Sequence, residues 1–366
     1  MVNTAQVASV QVPVAAVRFS LRPAAYLRHG HGAQTPTPHN NEKLPPARGA
    51  VLNKLMSCCL LSLTASVLFT AGANAAEAPS CKNVRLGVVN WTDVIATSAM
   101  TQVLLDGLGY ETKQTSASQQ IIFAGIRDQR LDLFLGYWNP LMTQTITPFV
   151  DAKQVRVLDK PSLEDARATL AVPSYLADKG LTSFVDIAKF KTELGGKIYG
   201  IEPGSGANTQ IKAMIAKNQF GLGGFQLVES SEAGMLSAVG RAVNRNEAIV
   251  FFGWAPHPMN VNVKMTYLTG SDGALGPDEG KATVWTVTAP DYATRCPNVE
   301  KLVSNLTFSA ADESRMMQPL LDHKDALESA KAWLKAHPAD QQRWLAGVTT
   351  FDGKPASGNL KLSSNP

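Results

Sequence analysis

Three tryptophans at predicted strand ends carry the clearest chemical signal in this sequence. Trp91, Trp138 and Trp254 each end or follow an apolar run with the length and composition of a buried β-strand. A glycine precedes and a proline follows both Trp138 and Trp254 within two residues. The face of an indole ring attracts a cation, and each such contact contributes about 0.5–2 kcal/mol. Several rings at one cleft would suit a quaternary ammonium group, because it has no N–H to donate.

Polar residues near these strand ends could complete such a site. Asp93 lies two residues after Trp91 and is a candidate carboxylate or hydroxyl acceptor. The Gly-rich loop 204–208, which contains Ser205 and Asn208, precedes a predicted helix and could offer N–H groups to an anion. Each signal has an ordinary alternative, since a strand-end Trp often packs in the core and such a loop is often a plain turn.

The sequence gives no sign of catalytic or metal chemistry. Three histidines follow the N-terminal region, His257, His323 and His337, and they lack metal-ligand spacing. There is no nucleophile elbow and no phosphate-loop signature. We therefore expect no catalytic residues, no metal and no cofactor.

The N-terminal region is predicted to be absent from the folded protein. Residues 1–50 are rich in Pro, Ala, His and Arg and show no helical or strand period. The uncharged apolar run 55–72 ends near a small-x-small site, which makes 51–75 a predicted signal peptide. Because signal peptides begin at the N-terminus, we expect translation to start near Val51 or Met56.

Removal of residues 1–75 changes the charge balance of the protein. The whole chain has a formal net charge of +4, and the removed part holds six basic and one acidic residue. The remaining 291 residues carry a net charge of about −1. This balance gives no argument for binding nucleic acid.

Two cysteines remain in the predicted mature chain. Cys58 and Cys59 leave with the signal peptide, and Cys81 and Cys296 stay. Two cysteines in an exported protein favour a disulfide over a metal site or free thiols. It would close a long loop and stabilise the fold by roughly 3–5 kcal/mol in the chain-entropy model.

Strands and helices alternate along the mature chain, which predicts an α/β fold with a parallel-rich sheet. The predicted strands are 84–90, 110–116, 131–137, 155–159, 169–173, 197–201, 225–229, 249–252, 265–268 and 284–288. The predicted helices are 92–107, 118–129, 184–190, 209–218, 232–244 and 310–346, the last with breaks at Pro319 and Pro338. The prolines after Trp254 are expected to exclude both helix and central strand beyond it.

The repeated strand ends predict two similar halves that face each other. With the expected disulfide joining both chain ends, one lobe would contain residues 81–167 and 283–350. The second lobe would be the inserted segment 168–282. A ligand would then bind in the cleft between the lobes.

Several motifs resemble the periplasmic substrate-binding proteins of choline/glycine betaine ABC transporters, with the choline-binding branch most similar. The motifs are Trp91–Asp93, Leu135–Pro140, Tyr199–Gly204, Val228–Glu232, Phe252–Asn260 and Met265–Thr269. The resemblance covers about Cys81 to Lys354. It implies a two-lobed type II periplasmic binding protein fold, a membrane permease as partner, and a disulfide between Cys81 and Cys296.

The resemblance also assigns roles to individual residues. It implies that Trp91, Trp138 and Trp254 form three walls of an aromatic box and that Asp93 lies near the polar end of the ligand. Two positions depart from the pattern. Ala168 stands where choline-type relatives tend to have a fourth aromatic wall, and Ser205 stands where they tend to have Asn. Tyr137 or Tyr175 could supply the missing ring.

These observations predict an exported, periplasmic, non-enzymatic binding protein for a quaternary ammonium compound. Choline is the first expected ligand, held by the tryptophans with Asp93 and the Ser205–Asn208 loop at its other end. Betaine or carnitine is the alternative, and an exported amine-processing enzyme on the same scaffold is the rival from another class. The protein is expected to act as a monomer.

Overall fold

The computed structural model describes residues 76–271, 273–356 and 360 of the 366-residue chain. The predicted signal peptide, 51–75, and the predicted extra segment, 1–50, lie outside the described residues. Among the described residues, no helix is both long enough and apolar enough to cross a membrane.

The described residues form ten strands and fourteen α-helices, with short 3₁₀ turns between some of them. The strands are β1 Asn83–Val88, β2 Glu111–Ser116, β3 Leu133–Asn139, β4 Arg156–Val157, β5 Leu163–Pro173, β6 Lys197–Tyr199, β7 Gln226–Val228, β8 Phe251–Ala255, β9 Met265–Tyr267 and β10 Lys281–Thr288. The helices are α1 Thr92–Gly107, α2 Gln119–Arg127, α3 Thr143–Asp151, α4 Ser174–Ala177, α5 Phe184–Ile187, α6 Gly206–Ala216, α7 Glu232–Asn244, α8 Met259–Asn262, α9 Pro277–Gly280, α10 Tyr292–Arg295, α11 Pro297–Asn305, α12 Ala310–Leu321, α13 Ala326–Ala336 and α14 Pro338–Trp344.

The strands form one mixed sheet, so the predicted α/β class is confirmed. The order is β2-β1-β3-β10-β5-β8-β6-β7, with β4 beside β10 and β9 beside β5. β1 is parallel to β2 and β3, and β6 is parallel to β7 and β8. The two central strands, β5 and β10, run antiparallel to their neighbours. The prediction of a parallel-rich sheet therefore holds for each side and is wrong for the centre.

Strand β5 changes partner along its length. Its first part pairs with β10, where Ala166 lies opposite Ala282. Its second part pairs with β8, where Ala168 lies opposite Trp254. The change falls near the predicted lobe boundary at 167/168, but that boundary stays a prediction.

Several element boundaries differ from the sequence-based prediction. β3 and β8 run through Trp138 and Trp254 instead of stopping before them. A short helix, α8, begins directly after Pro258, where helix was excluded; proline is compatible with the start of a helix because its missing N–H is not needed there. Pro319 lies inside α12 and does not break it. The helices α3 and α11 were not predicted.

The first described residues are tied to a segment more than two hundred residues later in the chain. Cys81 and Cys296 form a disulfide that spans 215 residues of sequence. Next to it, the Glu77 carboxylate accepts hydrogen bonds from Asn298 N–H (2.6 Å) and from the Tyr110 hydroxyl. These contacts tie the first described residues to Tyr110, which directly precedes β2, and to α11.

Apolar side chains of the sheet and of the helices packed on it form one continuous buried cluster. Trp344 belongs to it at 1% exposure, and Trp333 packs against it partly buried, as predicted for both residues. The three tryptophans of interest belong to this core: Trp138 and Trp254 lie in the ends of β3 and β8, and Trp91 is the N-cap residue of α1, shortly after β1.

Candidate functional site

One mainly apolar cavity collects the strand-end tryptophans. Its empty space, counted with the open mouth, is about 380 Å³. The residues that line it come from both sides of the sheet: Trp91, Asp93, Trp138, Leu141, Met142, Ala168, Ile201, Ser205, Gly206, Ala207, Phe252 and Trp254. The three tryptophans, predicted from separate parts of the chain, therefore meet at one place.

Trp138 is held by a carboxylate. Its indole Nε1 donates a hydrogen bond to Asp93 Oδ2 at 2.8 Å. Asp93 lies in the first turn of α1, which packs directly against β3 because Gly136 has no side chain: a Cβ there would lie 2.4 Å from Val94 Cγ2. The glycine before this tryptophan thus brings the helix and its carboxylate to the ring.

Trp91 is held in the same way by a residue of another element. Its Nε1 donates to Glu202 Oε1 at 2.8 Å. Glu202 lies in the loop between β6 and α6, on the far side of β5 from β1. This hydrogen bond therefore connects the two sides of the sheet at the cavity.

Trp254 is held by packing of rings. It stacks on Phe252 with ring centroids 5.6 Å apart, and the His257 ring meets it edge-on at 4.8 Å. On the backbone, its carbonyl accepts from the Asn260 side chain at 2.8 Å. The segment after β8 is therefore folded back on the strand end and fixes the indole.

A buried carboxylate links the segments that carry Trp91 and Trp254. Glu232, the first residue of α7, accepts hydrogen bonds from Thr92 N–H (3.0 Å) and from the Thr92 hydroxyl. It also accepts from His257 Nε2 at 3.2 Å. Because His257 Nδ1 accepts the Met259 N–H at 2.9 Å, that nitrogen carries no proton, and the imidazole donates to Glu232 through Nε2 as a neutral ring.

The site is electrostatically negative. Burial, followed by the charge of Glu232, raises the pKa of Asp93 to about 6, so this carboxyl is ionised at neutral pH. Burial also raises the pKa of Glu202. Among the described residues, neither Asp93 nor Glu202 forms an ion pair. The contact of Glu232 with His257 is a hydrogen bond to a neutral ring. The cavity therefore favours a positively charged ligand.

The loop 204–208 contributes in part. Ser205 and the first two residues of α6, Gly206 and Ala207, line the cavity, whereas Asn208 does not. Asn208 is a structural residue: its side chain accepts from Ile201 N–H at 3.0 Å and donates to the carbonyls of Ile201 and Glu202. Ser205 caps α6 by accepting from Asn208 N–H at 3.2 Å.

The position with the missing aromatic ring is fully buried. Ala168 lines the cavity at 0% exposure, directly opposite Trp254 in the sheet. Neither proposed replacement reaches the cavity. The Tyr137 hydroxyl contacts the Thr143 hydroxyl, since Tyr137 faces away from its neighbour Trp138 along the strand, and Tyr175 donates to the Glu247 carbonyl at 2.6 Å. Phe252 is the fourth aromatic residue at the cavity.

Three contributors were missed by sequence reasoning. Glu202 and Glu232 belong to the quoted motifs but received no role, and Phe252 was assigned only to a buried strand. The serine before Glu232 is an N-cap signal that predicts the start of α7, since its hydroxyl accepts from Gly234 N–H. Nothing in the local sequence indicates that this helix start would meet Thr92.

Among the described residues, no group of three or more His, Cys, Asp and Glu side chains is arranged to hold a metal ion. The fold and the cavity instead define a two-lobed ligand-binding protein with its site between the lobes. Residues 82–336 match the family described as the substrate binding domain of ABC-type glycine betaine transport systems. The chain belongs to this family and is the substrate-binding component of an ABC transporter.

Solved structures and a curated protein agree with this family. An ABC-transporter choline binding protein in complex with choline is 45% identical, with a TM-score of 0.74, and the match covers 76% of this chain and 96% of that chain. An unliganded semi-closed form of a choline binding protein is also 45% identical, with a TM-score of 0.69 and coverages of 75% and 96%. The glycine betaine/carnitine transport binding protein GbuC of Listeria monocytogenes serotype 1/2a (strain 10403S) is 28% identical over 167 residues, which are 44% of this chain and 55% of that protein.

Proposed function

We propose that this protein binds choline in a cage made by Trp91, Trp138 and Trp254 and delivers it to a membrane permease. The observation that carries the proposal is that these three rings line one cavity together with the Asp93 carboxylate. Indole faces and a carboxylate are the groups that can hold a trimethylammonium, which offers no hydrogen-bond donor. The similarity to a choline binding protein with bound choline supports the same ligand.

Asp93 serves the ligand in two ways. Its negative charge attracts the ammonium. Its Oδ2 accepts from Trp138, and a carboxylate has further lone pairs that can accept from the hydroxyl of choline. Ser205 at the same cavity is a second polar contact for that hydroxyl. Asn208 has no direct role, because its side chain is committed to the loop backbone.

Ligand exchange requires the two lobes to separate. We take the lobes as 81–167 with 283–350 and 168–282, a division supported by the partner change of β5. Hydrogen bonds between the two parts, such as that of Trp91 with Glu202, would break on opening and reform around the ligand. Ligand binding would then shift the open–closed equilibrium, and the closed form would engage the permease.

Glycine betaine or carnitine is the second candidate, and the start of α6 favours it. Gly206 and Ala207 line the cavity at a helix N-terminus, where N–H groups attract a carboxylate. Against this stands the buried carboxylate of Asp93, ionised at neutral pH, which would repel the ligand's own carboxylate. We therefore rank choline first.

The remaining parts of the proposal concern the cellular setting. We place the protein outside the cytoplasmic membrane, in the periplasm, and assign it no enzymatic activity, in line with a family of transport binding proteins. We further propose that it acts as a monomer. Elution on size exclusion with light scattering, with and without choline, checks that state.

A ligand panel tests the proposed function. The purified protein is titrated with choline, glycine betaine, carnitine and ethanolamine, a primary amine, while tryptophan fluorescence is followed. We expect saturable binding of the trimethylated ligands, with choline tightest. Equal affinity for ethanolamine would contradict the aromatic cage, and a preference for glycine betaine would favour the second candidate.

A further inference from the structure

The Glu232 carboxylate lies behind the cavity and contacts both sides of it. It does not line the cavity, yet it accepts hydrogen bonds from Thr92, at the start of α1, and from His257, in the segment after β8. Thr92 stands between the cage residue Trp91 and the cavity carboxylate Asp93 in the chain. Glu232 is only 4% exposed, so these contacts take its charge out of water.

The neighbours of Glu232 do not neutralise its charge. Thr92 supplies two neutral donors, and His257 is a neutral ring because its Nδ1 accepts the Met259 N–H. The first N–H of α1, that of Thr92, points at the carboxylate, and Glu232 itself lies in the first turn of α7, so both helix ends add partial positive charge that offsets part of the desolvation cost. A full positive charge close to Glu232 and Asp93 is missing among the described residues.

The charges of the two carboxylates, Glu232 and Asp93, oppose each other in this structure. Glu232 accepts the N–H of Thr92, and Asp93 is the next residue of α1, so the two like charges repel across the α1 N-terminus. Burial, followed by the charge of Glu232, raises the pKa of Asp93. Closing the empty protein would bring both negative groups out of water without a counter-charge, which is costly. A cation in the cage supplies the counter-charge that the chain lacks.

We propose that Glu232 is a specificity-determining residue that makes closure depend on a positively charged ligand. An empty cage, or one with a neutral ligand, leaves Glu232 and Asp93 unbalanced and favours the open form. A quaternary ammonium balances them, and Thr92 then locks onto Glu232. This inference rests on the proposed function, because it needs the cage to be the ligand site.

The decisive variant is Glu232→Gln, which removes the charge and keeps the size and one acceptor oxygen for the Thr92 N–H. Its new NH2 group faces the Thr92 hydroxyl, which can turn to accept from it, and His257 Nε2, which lies in the same lobe, so that contact is the same in the open and closed forms. Without ligand, we expect Glu232→Gln to be more closed than the wild type by small-angle scattering or by fluorescence transfer between one dye on each lobe. We also measure the ratio of affinities for choline and for 3,3-dimethyl-1-butanol, its uncharged isostere. That ratio should fall at least about tenfold, or about 1.4 kcal/mol.

Matched variants separate charge from hydrogen bonding and from general damage. Thr92→Val removes a donor and keeps the charge, so it should stay open without ligand and keep its selectivity for the charged compound. Glu247→Gln removes an exposed carboxylate that pairs with Arg245 and does not line the cavity, and it should behave as the wild type. If Glu232→Gln does not fold, Asp93→Asn removes the other charge of the pair and should likewise favour closure of the empty protein.

The outcomes distinguish this inference from the proposed function. Wild-type protein that binds no trimethylated ligand overturns the proposed function, whatever Glu232 does. Wild-type binding of choline together with a Glu232→Gln variant that is as open as the wild type, more open, or unchanged in its affinity ratio overturns the role of Glu232.

Discussion

The strand ends of β3 and β8 share one local pattern but are supported differently. Each places a tryptophan at the cavity within two residues of a glycine and a proline. Trp138 is tied by a hydrogen bond to Asp93, a residue that itself lines the cavity. Trp254 is fixed by the rings of Phe252 and His257.

The two walls therefore differ in what they depend on: one on a hydrogen bond to a titratable group, the other on ring packing. The orientation of Trp138 and the charge state of Asp93 depend on each other, so a change at one is felt at the other. Trp254 depends instead on the packing of its ring against Phe252 and His257. The segment after β3 also meets the opposite side of the cavity, since the Leu141 carbonyl lies against Gly206 at the start of α6.

The largest effect should come from filling that contact. In Gly206→Ala, the new Cβ would lie 2.2 Å from the Leu141 oxygen, so the segment after β3 and the start of α6 must move apart. Overpacking of this kind costs roughly 1–3 kcal/mol, so choline affinity should fall by up to about a hundredfold. Isothermal titration measures it.

Gly240→Ala is the matched control for that experiment. A Cβ at this helical glycine of α7 meets no atom within 4 Å. It should bind choline normally and have an unchanged or slightly raised melting temperature, because alanine favours helix. Normal binding by Gly206→Ala would show that the two sides do not close at this contact.

Conservative ring changes test the difference between the two walls. Trp138→Phe removes the indole donor and leaves a buried carboxylate short of a partner, so choline affinity should fall at least about tenfold. Trp254→Phe keeps an aromatic face in an apolar setting, and the loss should stay within about threefold. Both alanine variants should lose at least about tenfold. Equal losses in the two phenylalanine variants would remove the distinction.

The pH dependence of binding tests the titratable wall. Asp93 has a pKa of about 6 because it is buried and because Glu232 is near. Its ionised form attracts the ammonium, so affinity should be at its full value above about pH 7 and fall as the pH drops through 6, by about tenfold near pH 5. Titrations of the wild type and of Asp93→Asn check this; a wild-type profile as flat as that of the variant would contradict the assignment.

The smallest effect is expected at Trp91. Glu202→Gln retains an oxygen that can accept from the indole N–H but removes a charge from the cavity surroundings. Choline affinity should fall by about threefold, roughly 0.6 kcal/mol. Thermal unfolding is the accompanying control. A loss as large as that of Trp138→Phe would mean that Trp91 depends on its carboxylate as strongly as Trp138 does.

Much of the fold was predictable because its signals are local. The apolar runs that end at Trp91, Trp138 and Trp254 have the length and composition of buried strands, and the helices of 92–107 and 232–244 appear at their predicted bounds. The antiparallel centre was not predictable in this way. Strand β10 comes from a segment more than a hundred residues after β5, and its position beside β3 depends on packing of the complete chain.

The site divides along the same line. Residues that stand next to a strand end, such as Asp93 and Ser205, could be proposed from their sequence neighbours. Glu202 and Glu232 could not, because each reaches its partner only when the two sides of the sheet meet. Asn208 is predicted from the sequence to contact the ligand, but its amide forms hydrogen bonds with the backbone of the nearby loop. The sequence pattern does not reveal these bonds.

A crystal structure of the protein with choline tests the central claim most directly. The account predicts the ammonium nitrogen within about 6 Å of the ring centroids of Trp91, Trp138 and Trp254, with Asp93 on the side of the hydroxyl. Choline bound at another place, or in this cavity with its ammonium turned away from the three rings, would contradict it.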